Sequence, residues 1–258
     1  MADNFIWYEL LTSDQDAATA FYTKVVGWTA ADQQMAELDF RYTILSVGER
    51  GVGGLMALTE EMKAGGAVPA WVGVIGVADT DAEAKRIAED GGAVHMGPDD
   101  IPNVGRFALV ADPGGTVYEI MTPLPRETEP EPVARMTPGF VGWHELYAAN
   151  GGEAAFAFYA GHYGWTETTS LDMGPMGKYR IFAADADQAG GIMTKPADMP
   201  VGAWAFYFVV EGLDAAVERV NAHGGKILMG PHEVPDGSWI VQAVDPQGAH
   251  FALVSATR

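Results

Sequence analysis

Apolar and polar positions along the first half of the chain change period in a fixed order. In FIWYELLT, residues 5–12, apolar and β-favouring residues fill a short run that stops at the polar SDQD turn, which predicts a strand. The period then becomes helical. Ala17, Ala18, Phe21, Tyr22 and Val25 recur one turn apart, a Ser or Asp stands ready to cap the first turn, and Gly27 supplies the stop. Three strands are expected next, separated by glycine-containing turns: around Trp28–Ala31, in FRYTILSV (40–47) and in GGLMAL (53–58). The order then repeats. AWVGVIGV (70–77) reads as a strand and DTDAEAKRIAEDGG (79–92) as a capped amphipathic helix, followed by strands at AVHM, RFALVA and TVYEIM. The pattern is βαβββ followed by βαβββ, an α+β arrangement in which helices cover sheets that curl around a cavity.

The second half of the chain writes the same text again. FVGWHELYAANGGEAAFAFYAGHYGW at 140–165 echoes FIWYELLTSDQDAATAFYTKVVGW at 5–28, and both Tyr22 to Tyr159 and Trp28 to Trp165 are separated by 137 positions. GGLM at 53 returns as GGIM at 190 with that offset (190 − 53 = 137), whereas AW at 70 returns at 203 with an offset of 133. ADPGGTVYEIM likewise returns as VDPQGAHFALV. Two loops have changed length while the elements between them kept theirs. A solenoid period would be about 20 to 50 residues, so this is a duplicated domain. The stretch TPLPRETEPEPVARMTPG (122–139), rich in Pro and Glu, reads as a stiff, extended linker. The expected organisation is a first domain at 1–123, a linker at 124–138 and a second domain at 139–258.

Composition narrows the partners. A chain of 258 residues that is 48% hydrophobic can fill two ordinary cores. A net charge of −20 repels phosphate backbones and anionic membrane surfaces, which argues against nucleic acid and lipid partners. Cysteine is absent, no signal-peptide pattern opens the chain, and no stretch approaches the roughly 18 apolar residues of a membrane span, so a cytoplasmic protein is expected. The acidity serves solubility, and it is also compatible with cationic ligands.

Taken together, the strand, the AxxFYxxxxGW helix, the GGxM strand and the closing DPxGxxxE strand resemble the vicinal oxygen chelate superfamily, which includes glyoxalase I, bleomycin-resistance proteins and extradiol dioxygenases. The resemblance covers both copies and leaves out only the linker. It implies two tandem glyoxalase-like domains, each of two βαβββ units curled into a half-open barrel around a small-molecule site. It also implies, for the enzymes, a divalent metal held by His, Gln or Glu side chains from the first and last strands of the units. Carried onto this sequence, the first-copy positions fall at Trp7 or Tyr8, Leu55 or Met56, Trp71 or Val72, and Glu119; only Glu119 is a usual donor. In the second copy His144 can take the first-strand place, while Ile192 or Met193, Trp204 or Ala205, and Ala252 hold the others. His144 depends on register, since aligning the strands puts Trp143 at that place, and a one-residue slip turns a side chain to the other face. A site shared between paired domains would draw on His144 and Glu119 together. The usual ligand set is incomplete in every version.

Other residues carry candidate chemistry without a metal. Glu9 and Glu145 recur two positions after Trp7 and Trp143 and would share a face with those indoles, where a desolvated carboxylate suits a proton acceptor or orders the barrel. Tyr42 and Tyr179 match on the third strands beside Arg41 and Lys178, placed to orient a ligand or to pack with the hydroxyl at the rim. Trp71 and Trp204 open the fifth strands as pocket walls or barrel plugs. No role falls to His223, His232 or His250. Neither a phosphate-binding loop nor a nucleophile elbow occurs. Three readings follow: a small-molecule binding protein with aromatic-lined cavities and no complete metal site; a metal-dependent lyase, isomerase or oxygenase; and an interaction protein, for which no motif speaks.

Overall fold

The computed structural model describes residues 4–33, 40–125, 131–174, 177–184 and 187–258. Residues 126–130 of the expected linker lie outside them. The first copy runs β1 (Phe5–Thr12), α1 (Gln15–Val25), β2 (Thr29–Gln33), β3 (Tyr42–Val47), β4 (Arg50–Ala57), a short α2 (Glu60–Ala64), β5 (Ala70–Gly76), α3 (Thr80–Glu89), β6 (Ala93–Ile101), β7 (Gly105–Ala111) and β8 (Val117–Pro123). The second runs β9 (Val141–Ala148), α4 (Gly152–Tyr163), β10 (Thr166–Asp172), β11 (Lys178–Ala184), β12 (Asp187–Thr194), β13 (Ala203–Val209), α5 (Leu213–Ala222), β14 (Lys226–Glu233), β15 (Trp239–Val244) and β16 (His250–Ser255). These are four βαβββ modules. The chain is α+β, with two tandem copies of the same element order apart from α2.

The compact units of the molecule draw on both copies. One comprises Met1–Ile6, Val72–Glu131 and His144–Trp204, and therefore joins the second module to the third. The other comprises Trp7–Trp71, Pro132–Trp143 and Ala205–Arg258, joining the first module to the fourth. They are called here the inner and outer units, after their modules. In every module the first strand pairs parallel with the last and the others add antiparallel: β1 with β4, β4 with β3 and β3 with β2 in one, β5 with β8, β8 with β7 and β7 with β6 in the next.

In the outer unit, α1 begins where the Asp14 side chain accepts from Ala17 N at 3.0 Å, a cap contributing about 1 kcal/mol. Its Ala18, Phe21, Tyr22 and Val25 are all buried. Opposite them lie Leu10 of β1, Leu45 of β3 and Leu55 of β4, each fully buried and each contributing roughly 1.5 to 3 kcal/mol. Gln15 Nε2 ties the helix to that face, donating to Thr43 Oγ1 at 3.0 Å and to Leu55 O at 3.1 Å. The aromatic core is continued by Phe208 and Phe251, edge-on to Trp71 and Tyr22. In the inner unit the equivalent core is Tyr159, Tyr163, Trp165 and Phe182 with Tyr118, closed by the Tyr163 hydroxyl donating to Tyr118 at 2.7 Å.

Each core contains its own hydrogen-bonded triad of the same kind. Trp71 Nε1 donates to the Tyr22 hydroxyl at 2.8 Å, which donates to Asp245 Oδ2 at 3.1 Å; Trp204 Nε1 donates to Tyr159 at 3.1 Å, which donates to Asp112 Oδ2 at 3.2 Å. The Tyr of each FY pair thus holds the Asp of a DPxG turn from the other copy.

Candidate functional site

The paired glycines of GGLM and GGIM explain how side chains are placed on the faces away from the helices. A Cβ on Gly53 would lie 2.6 Å from Tyr8 O, so Gly53 lets β4 approach β1 closely. A Cβ on Gly54 would run into the Tyr42 hydroxyl and come within 2.5 Å of Glu9 Oε2. The bare backbone of β4 is the floor on which Tyr42 and Glu9 meet. Gly51 does the same for the Trp7 ring, whose nearest atom would be 3.0 Å from its Cβ.

On that floor Trp7 Nε1 donates to Glu9 Oε1 at 2.7 Å and to the Tyr42 hydroxyl at 2.9 Å, and Tyr42 closes the ring with a short hydrogen bond to the same Glu9 Oε1. A carboxylate accepts and cannot donate, so two donors on one oxygen suit it. All three residues are partly buried. Their positions alternate with Tyr8 and Leu10, which face the core: Tyr8 stands edge-on to Phe206 at 5.1 Å.

The inner unit repeats this design with different parts. Gly190 meets the backbone of His144, Gly191 leaves room for the Tyr179 ring, and Glu145 lies level with Gly191 as Glu9 does with Gly54. Glu145 Oε2 accepts from the Tyr147 hydroxyl at 2.5 Å. Tyr147 escaped the sequence reading, although it stands two residues beyond Glu145 on the same strand face. Its first-copy counterpart, Leu11, gave no signal.

Strand register decides His144. With Glu145 and Glu9 equivalent, Trp143 is level with Trp7, and His144 corresponds to Tyr8 on the core face. Its ring stacks on Phe5 at 4.5 Å and 10°, and its Nδ1 donates to Ala189 O at 2.7 Å. Burial pushes its pKa down to about 4, so the imidazole is neutral at pH 7. Glu119 sits elsewhere. Its neighbours Tyr118 and Ile120 are fully buried in the core that also holds Phe5 and His144, so Glu119 points to the opposite face of β8. It lies level with Val74 and Leu109, and desolvation pushes its carboxyl up to about 7. The row Val74, Glu119, Leu109 becomes Tyr207, Ala252, Gln242 in the outer unit, where Gln242 Nε2 donates to the Tyr207 hydroxyl at 2.7 Å. A carboxyl in one row is answered by a phenol and an amide in the other.

The remaining candidates separate in two. Trp71 and Trp204 are buried and hydrogen-bonded into the core triads, where they serve the fold. Trp143 is partly buried beneath Arg135, whose guanidinium lies 5.6 Å from its ring centroid. As for a metal, His144 and Glu119 face opposite ways, and among the described residues no three His, Asp or Glu side chains are arranged to hold a metal ion. This donor set does not fit a metal.

A family model, the Glyoxalase/Bleomycin resistance protein/Dioxygenase superfamily, matches residues 4–120 and 144–253. The chain belongs to this superfamily. Within it, "Putative glyoxylase CFP32" of Mycobacterium bovis is 29% identical over 255 residues, covering 96% of this chain and 93% of that one. The "Anthracycline biosynthesis protein DnrV" of Streptomyces peucetius is 30% identical over 290 residues, covering 96% and 91%. Among solved structures, the Mn(II)-bound glyoxalase of Novosphingobium aromaticivorans superimposes with a TM-score of 0.66 at 17% identity, covering 100% of this chain and 82% of its own. The 2,2',3-trihydroxybiphenyl 1,2-dioxygenase of Sphingomonas wittichii gives 0.68 at 11%, covering 99% and 91%. Those two likenesses concern the fold. No helix among the described residues is long and apolar enough to cross a membrane.

Proposed function

We propose that this superfamily member binds a small, planar, hydroxylated organic molecule on the faces carrying Glu9 and Glu145, without using a metal. The observation that carries the reading is the Trp7, Glu9, Tyr42 ring: an indole and a phenol preorganised on one carboxylate oxygen, on a glycine floor turned away from the hydrophobic core. An indole edge offers an apolar surface, and the carboxylate takes a ligand hydroxyl. The relative from Streptomyces peucetius, named for anthracycline biosynthesis, supports a polycyclic aromatic ligand class. Tryptophan fluorescence titrated with 1,2-dihydroxyanthraquinone tests this. Saturable quenching with thermal stabilisation, both lost in a Trp7→Leu, Glu9→Gln double variant, is expected. Quenching that the double variant retains in full overturns the assignment to Glu9.

A second reading rests on Glu119. A carboxyl titrating near 7 is poised to take and return a proton at neutral pH, which supports an enzyme that moves a proton on its bound ligand. Glu119→Gln then abolishes turnover and leaves ligand affinity within about threefold.

A further inference from the structure

The seam between α3 and α4 in the inner unit contains a buried polar set that neither reading uses. His162, in the last turn of α4, has a side chain only 2% exposed, and its Nδ1 lies 2.6 Å from Oε1 of Glu83, itself 8% exposed. Glu83 Oε2 accepts from Arg86 Nη1 at 2.7 Å, and Arg86 Nη2 reaches on to Gly161 O at 3.0 Å. The Glu83 contact places the ring proton on Nδ1. Nε2 is buried and makes no hydrogen bond to a described residue, although Asp90 Oδ2 lies 3.2 Å away. With its proton on Nδ1 the ring presents a lone pair at Nε2, which a carboxylate cannot satisfy. His162 lines a cleft of about 300 Å³ together with Phe158, Ala157, Pro113, Asp90 and Asn150.

The duplicated chain supplies its own control. At the offsets of 137 and 133, His162 corresponds to Val25, Glu83 to Ala216, Asp90 to His223 and Gly161 to Lys24. Val25 and Ala216 are fully buried, so the outer unit fills these two positions with apolar side chains. The arginine is kept: Arg219, counterpart of Arg86, donates to Val25 O at 3.0 and 3.2 Å. Helix docking therefore needs the arginine and not the histidine or the glutamate. Burying such a polar set costs desolvation that the Val25 and Ala216 packing avoids. A Cβ on Gly161 meets nothing within 4 Å, and the other copy carries Lys24 at the corresponding position.

We propose that this cleft is a second ligand site, distinct from the Glu145 cluster, which takes a small aromatic ammonium compound. The ammonium donates to the Asp90 carboxylate, to His162 Nε2 and to the Asn150 side-chain amide, satisfying the buried nitrogen. The ring lies on Phe158 and Pro113. An anion is refused by Asp90 and Glu83, and a neutral alcohol brings one donor where three acceptors wait.

The probe is 2-phenylethylammonium, with 2-phenylethanol and 2-phenylacetate as neutral and anionic controls of the same ring, observed through the ¹⁵N resonances of the His162 imidazole. The ammonium is expected to move His162 Nε2 saturably, with the alcohol at least about tenfold weaker and the acetate without effect. Gly161→Lys, the residue of the other copy, is expected to remove the response while leaving the unfolding midpoint unchanged. Asp90→Asn is expected to weaken binding about tenfold. No shift of His162 up to about 10 mM ammonium, or a Gly161→Lys variant that binds as the parent does, overturns the proposal.

Discussion

The Tyr22 hydroxyl donates to Asp245 Oδ2 at 3.1 Å, fastening a helix of the first copy to a turn of the second. Asp245 is engaged from both sides, since its Oδ1 accepts from Gln247 N at 2.9 Å and Ala249 N at 2.8 Å. Tyr159 and Asp112 repeat the relationship in the inner unit, with Asp112 Oδ1 taking Gly114 N and Thr116 N. The residues that made the duplication visible in the sequence, FY in the helix and DP in the turn, are therefore the residues that lock modules of different copies into one unit.

Tyr22→Phe keeps the ring and removes both hydrogen bonds of the hydroxyl. Burial already raises the Asp245 carboxyl, and losing this donor raises it further. A cost of about 1 to 3 kcal/mol is expected from chemical denaturation. Tyr159→Phe should cost a similar amount, and the two should add, because the triads share no partner. A double variant no less stable than either single one would deny that the triads are independent.

Glu119 makes stability fall with rising pH. Its folded pKa of about 7 lies above its ordinary value of 4.5, so between those limits the folded state holds more protons than the unfolded chain. The cost is absent below about pH 4 and complete above about pH 8. Glu119→Gln is accordingly expected to be neutral at pH 4 and to gain about 1 to 3 kcal/mol at pH 8, read from urea midpoints at both values.

His144 acts in the opposite direction. Its folded pKa of about 4 lies below the ordinary 6.5, so the unfolded chain takes up the proton first and stability is lost as pH falls from 6.5 towards 4. Replacement by Phe keeps the stack on Phe5 and gives up the bond to Ala189 O. His144→Phe should cost about 1 kcal/mol at pH 8 and close the gap to the parent, or reverse it, at pH 4.5. Equal losses at both pH values would show that the ring is not held neutral.

The fold was legible because its signals are periodic and were written four times: β1 spans the FIWYELLT run, and α1 buries the residues read at helical spacing. The short α2 was not foreseen, for Glu60–Ala64 buries nothing and leaves no periodicity. Trp7 and Glu9 were legible as a recurring pair on one face, and Tyr42 as a recurring residue of the third strand. Other features depend on which residues lie across a strand or helix seam: the partner of Glu145 was missed on its own strand, the face of His144 hung on a single residue of register, and the pairing of His162 with Glu83 joins positions 79 apart in sequence. Pattern fixes which way a side chain faces; it does not say what waits there.

The glycine floor under the Glu9 cluster gives the sharpest test of that geometry. Gly54 has an ordinary strand conformation, so Gly54→Ala introduces no backbone strain, and its whole effect is the collision of one methyl with the Tyr42 ring and with Glu9 Oε2. An overpacked site of this kind costs about 1 to 3 kcal/mol, and the displaced Tyr42 abolishes the dihydroxyanthraquinone response. Removing the obstacle should remove the cost. In a Tyr42→Ala background the same Gly54→Ala change is expected to be neutral or slightly stabilising, since alanine suits a strand better than glycine. The double-mutant cycle should therefore return a coupling of at least about 1 kcal/mol between positions 42 and 54. A cost for Gly54→Ala that is the same with and without the Tyr42 ring would mean that the glycine serves the strand and not the site.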